Sequence, residues 1–193
     1  MAGVLVGALV VQAGVVRGQP LPGTPAQAPA PVPGQIQAPA VPGAVEPETV
    51  LAAAARQAGV RRCLAAVGVV SARTFAGAGH ADVVLDWDRQ DPDGAPFFSL
   101  TGLDFGADSS ALFSLTTVPQ VAGCTVLAER ISSAPLPCRE VARSELAGWR
   151  ANGLVRAVTV YTQAGHARET VTLVDTRGAC VIVRRQVRYA GGG

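Results

Sequence analysis

Three observations predict an α+β fold. Several runs of five to eight residues alternate apolar with polar, two stretches carry apolar residues at helical spacing, and four cysteines are scattered along the chain. The expected architecture is an antiparallel sheet packed against about two helices, a disulfide-stapled two-layer sandwich. With 193 residues, 49% of them apolar, the chain has room for one such domain and a core, once its low-complexity beginning is set aside.

That beginning reads as two segments. Residues 3–16 are apolar apart from Gln12, too short for the ~20 residues of a membrane-spanning helix but the length of a signal-peptide core. Val16 and Gly18 suit the two positions inspected by a signal peptidase, so residues 1–18 read as a signal peptide, although no Lys or Arg precedes the apolar run. Residues 19–46 form an Ala/Pro-rich tether. Nine of the fourteen prolines lie between Pro20 and Pro47, and proline's fixed φ and missing donor favour extended polyproline II over helix or sheet. At ~3.1 Å per residue such a tether would reach on the order of 90 Å. Residues 47–190 form the single α+β domain, and 191–193 a glycine tail.

Within the domain, Pro47-Glu48-Thr49 opens a helix that runs through Ala66, weakened in its middle by Gly59. Val50, Ala54, Gln57, Arg61 and Leu64 form one stripe of it, and Ala53, Val60, Cys63 and Val67 the next, so that Cys63 faces the sheet. Strands are expected at 83–87, 97–103, 112–118 and 124–131, punctuated by Asp-Pro-Asp-Gly at 91–94 and Gly-Ala-Asp-Ser-Ser at 106–110. A second helix is expected over 139–151, with Ala142, Leu146 and Trp149 on one face and Asn152-Gly153 as its stop. Strands at 157–162, 170–175 and 180–189 close the domain, with turns at 164–166 and 176–178.

Cys63, Cys124, Cys138 and Cys180 read as two structural disulfides in an exported chain, with free buried thiols as the competitor. Three pairings are open, of which Cys124 with Cys138 is the most local. No zinc-type spacing is present, and Cys138, just before a helix, is a weaker candidate for a nucleophile. His80 and His166 both stand in Ala-Gly-His-Ala, either a trace of duplication or chance, and exposed loop positions are the plainer reading of both. Asp86, Asp88, Asp91 and Asp93 make the best local set of oxygen ligands, but Gln90 and Phe97 break the calcium-loop pattern, and turn geometry explains the residues as well. Arg184, Arg185 and Arg188 give the last strand a basic end, read as a charged edge strand, with Arg184, Gln186 and Arg188 on one face and Arg185 and Val187 on the other.

No cofactor is expected. Gly77-Ala78-Gly79 lacks the rest of a dinucleotide fingerprint, no phosphate-binding loop exists, and a net charge of +2 is too small to steer nucleic acid. In architecture alone, a small helix-covered sheet with a disulfide resembles the pilotin-like accessory proteins that assist outer-membrane secretion pores; unlike most of them, this chain has no lipid-attachment cysteine after its apolar run. The expectation is a periplasmic or secreted, non-enzymatic module that binds another cell-envelope protein and touches membrane only through an uncleaved leader. The rival is an exported hydrolase or metal-dependent enzyme using His80 or His166 with the acids of 86–93.

Overall fold

The structure is a computed structural model that describes residues 48–106 and 109–191. The leader, the tether, Pro47 and the last two glycines lie outside the described residues. Three helices, α1 (Val50–Ala58), α2 (Leu64–Phe75) and α3 (Cys138–Glu145), accompany eight strands. These are β1 (His80–Trp87), β2 (Phe97–Asp104), β3 (Ser110–Pro119), β4 (Cys124–Ala134), β5 (Arg150–Val155), β6 (Val158–Thr162), β7 (Glu169–Thr176) and β8 (Ala179–Arg188). All eight join one antiparallel sheet in the order β1-β2-β3-β4-β8-β7-β6-β5. The sheet is larger, and the helices more numerous, than the sequence suggests.

The expected first helix is two. Gly59 does not merely weaken it: at φ +98° it takes the left-handed conformation, donates back to Arg56 and ends α1. The helix then resumes at Leu64 and continues to Phe75, nine residues beyond the expected stop, because burial of Val67 and Val70 outweighs the poor helix propensity of a Gly-Val-Val run. The stripe that faces the sheet is also different. Leu51, Ala52 and Ala55 are buried in α1, followed by Val60, Cys63, Val67 and Val70, whereas Val50 points outward. Thr49 caps α1 by accepting from the Ala52 amide, and its hydroxyl is 2.6 Å from that of the fully buried Ser71, which ties the two helices together.

The second expected helix is shorter. It stops at Glu145, and Gly148 (φ +82°) turns the chain into β5, so Asn152-Gly153 lies inside a strand that the helical spacing of 139–151 had concealed. β8 is no edge strand either. It pairs with β4 on one side and β7 on the other, and the edges are β1 and β5.

The sheet's alternation fixes one buried face. Phe97, Ser99, Thr101 and Leu103 of β2 are buried while Phe98, Leu100, Gly102 and Asp104 are exposed. Cross-strand register carries the buried side through Phe113 and Leu115 to Val126 and Ala128, and these pack beneath α1 and α2. A smaller core gathers Val171, Leu173 and Ile182 under Val141 and Leu146 of α3 and its end.

The two cores belong to two halves of like build. Each has a helix followed by four antiparallel strands, and each has a disulfide from the start of its helix to the start of its fourth strand: Cys63–Cys124 and Cys138–Cys180, with Cα atoms 5.6 and 4.8 Å apart. The fourth strands, β4 and β8, pair with each other. The shift in numbering that carries Cys124 onto Cys180 also carries Leu115 and Thr117 of β3 onto the buried Val171 and Leu173 of β7. It carries Glu129 onto Arg185, and those two residues face each other in the β4–β8 register, as an internal two-fold axis through that pair requires. The repeated Ala-Gly-His-Ala does not mark this symmetry. His80 begins β1, while His166 lies in the turn between β6 and β7.

Candidate functional site

The titratable candidates do not converge. His80 Nε2 lies 2.9 Å from Asp82 Oδ2, two residues along β1, and the side chains are 69% and 88% exposed. With Asp104 and Ser110 they line an open concavity of about 480 Å³. An ion pair so exposed is screened by water and worth little. His166 sits 3.9 Å from Glu169, also exposed. Neither ring has its partner in 86–93. Asp86 is six residues along β1 from His80, roughly 20 Å at the rise of a strand.

Three of the four acids of 86–93 serve the backbone, and the fourth, Asp86, lies on the exposed face of β1 opposite Phe98. Asp93 Oδ1 accepts from the amides of Arg62 and Arg61, both at 2.7 Å, and these bonds, the Arg62 one foremost, hold its carboxyl below the usual carboxylate range. Asp91 accepts from the Gly94 amide and Asp88 from that of Gln90. Pro92 packs against Gly59, so this turn clamps the break between α1 and α2. Among the described residues no group of three or more His, Cys, Asp or Glu is placed to hold a metal ion. Cys138, the alternative nucleophile, is bonded to Cys180, and the local pairing of Cys124 with Cys138 does not occur. Arg184 and Gln186 do share the helix-covered face, and Arg185 the other, as alternation along the strand predicts.

What the sequence reading missed is the sheet's uncovered face. On it Val84, Phe98, Leu100 and Leu112 are 70%, 46%, 43% and 44% exposed. They are neighbours: Val84 pairs with Leu100 across β1–β2, Phe98 is two residues from Leu100, and Leu112 pairs with Gly102 on β3. Asp82, Asp86 and Asp104 stand around them on the same face, and no arginine occupies an outward position of β1 to β4. No family model, curated protein or solved structure matches this chain. The arrangement of side chains is therefore the only guide to function. The signal for the apolar patch is present in the sequence as the adjacent pair Phe97-Phe98, since consecutive strand residues point to opposite faces and one of two neighbouring phenylalanines must be outward.

Proposed function

We propose that this chain is an exported, non-enzymatic domain that binds another protein of the cell envelope through the uncovered face of β1, β2 and β3. The observation that carries the reading is the contiguous exposed row of Val84, Phe98, Leu100 and Leu112. Contiguous apolar surface of this kind marks interaction sites on folded domains. The ring of Asp82, Asp86 and Asp104 around it defines the partner's chemistry: an apolar centre with a basic rim. Two disulfides suit an oxidising compartment, the apolar run at 3–16 suits a secretory leader, and the proline-rich segment suits a tether that lets the domain reach its partner. Among the described residues no helix is long and apolar enough to cross a membrane.

The test is site-specific photo-crosslinking in the full chain, expressed in a host with an envelope. A photoreactive residue at position 100 is expected to give one discrete heterologous adduct, weakened by high salt and absent when Phe98→Asp is added. The same probe at position 160, on the uncovered face of the other half, is the control. Equal adducts from both positions, no adduct, or a product at twice the mass of the chain would each overturn the reading.

A further inference from the structure

On the helix-covered face, the two-fold axis between the halves emerges in a cleft. Its floor is Ala128 and Arg130 of β4 beside Gln186 and Arg184 of β8, and the register pairs Ala128 with Gln186 and Arg130 with Arg184. Val70 and Thr74 of α2 form one wall, Trp149 stands on the α3 side, and the cavity between them is about 330 Å³. A second cavity of about 370 Å³ continues past the same two arginines, with Ser109, Ser132 and Glu145 in its lining. The arginines are thus shared by a chamber with Val70, Phe113 and Trp149 as its apolar lining and Glu169 among its polar residues, and by a second, more polar one that holds Glu145.

Placing two cations directly opposite each other on neighbouring strands is unfavourable. Only one of the pair is neutralised: Arg184 donates to Glu145. Arg130 has no carboxylate within 4 Å among the described residues; its guanidinium stacks over the Phe105 ring at 4.8 Å, and its buried Nε has no hydrogen-bond partner. A buried donor without an acceptor costs stability, and a bound oxyanion would remove that cost. The floor also lies on the sheet's central strands, which gives it the rigidity of a preformed site.

We propose that this cleft binds a small anionic amphiphile, its oxyanion head between Arg130 and Arg184 on the side of the serines and its apolar body against Val70, Phe113 and Trp149. The site is on the opposite face of the sheet from the protein-binding row and does not depend on it. A carboxylate head and a phosphate head satisfy the same two arginines, and the experiment separates them.

Trp149 supplies the readout, with Trp87→Phe removing the other tryptophan. Decanoate and decyl phosphate are titrated into the full chain beside decanol and inorganic phosphate, following Trp149 fluorescence and binding heat. Saturable binding is expected for at least one of the first two, and the tighter of them names the head. Decanol and inorganic phosphate should bind at least tenfold more weakly. Arg130→Gln should weaken the amphiphile at least tenfold, while Arg177→Gln, in the turn between β7 and β8 and outside both cavities, leaves it unchanged; thermal melts confirm that both variants fold. Decanol binding as tightly as the charged compounds, an unchanged affinity in Arg130→Gln, or no binding by either amphiphile overturns the proposal. Failure of the crosslinking at position 100 would leave these results untouched.

Discussion

Asp93 sits in a solvent-exposed turn, yet its carboxylate holds the amides of Arg61 and Arg62 where α1 gives way to α2. Because its folded pKa is depressed, its contribution is complete above the ordinary value of about 3.8 and is lost as pH falls through the lower folded one. Asp93→Ala should therefore melt at a lower temperature than the parent at neutral pH. The two melting curves should converge as the solution is acidified below about pH 4, which thermal denaturation across a pH series will show. Thr101 offers a contrast. It is fully buried, and its hydroxyl, like that of Thr117, has no hydrogen-bond partner. Thr101→Val keeps the shape and removes the orphaned group, so it should stabilise the fold by about 1–2 kcal/mol in urea unfolding. A loss of stability instead would mean that the hydroxyl is satisfied in solution.

Among the elements, strands were more legible than helices. β2, β3, β4, β7 and β8 lie where the alternation of 97–103, 112–118, 124–131, 170–175 and 180–189 puts them, within a few residues at their ends. Alternation is local: it reports which side of one strand is buried without reference to the rest of the chain. The helices depended on distant groups. The break at Gly59 needs its left-handed φ together with Pro92 and Asp93 from a turn some thirty residues away, and the end of α3 needs the turn at Gly148. Gly59→Ala would place a Cβ 3.0 Å from Pro92 Cγ as well as forcing an L-residue into the left-handed region. It should cost about 1–2 kcal/mol in chemical denaturation. An unchanged midpoint would show that α1 and α2 can join without strain. β5 was hidden for a related reason: every one of its residues is exposed, so burial imprints no strand pattern on it.

For the molecule as a whole, the duplicated plan explains why four cysteines make two equivalent staples. Each links the start of a helix to the start of the fourth strand of its own half, across sequence separations of 61 and 42. In the chain-entropy account each closure contributes about 4 kcal/mol, so replacing either pair by alanine should cost that order. Since β4 and β8 pair at the centre of a single sheet, the loss should appear as one cooperative transition at lower denaturant, not as separate melting of a half. Alkylation of the native protein without reductant should add no mass, and labelling of the thiols would refute the pairing.

The sequence by itself determined that an antiparallel sheet is accompanied by helices, the cysteine number, most of the strands and the face on which Arg184, Gln186 and Arg185 lie, because periods of two and the count of thiols are properties of the chain alone, while the balance came out further toward sheet than an α+β sandwich implies. Only the tertiary structure decided the rest. Strand order, disulfide partners and the two-fold relation of the halves arise from contacts between residues far apart in the chain, and no local spacing records them. The candidate sites follow the same division. The acids of 86–93 look like ligands in sequence, yet Asp88 and Asp91 hold local turn amides and Asp93 becomes a clamp once Arg61 and Arg62 are brought to it. Arg130 and Arg184 lie far apart in the chain and become a facing pair because β4 and β8 meet at the axis.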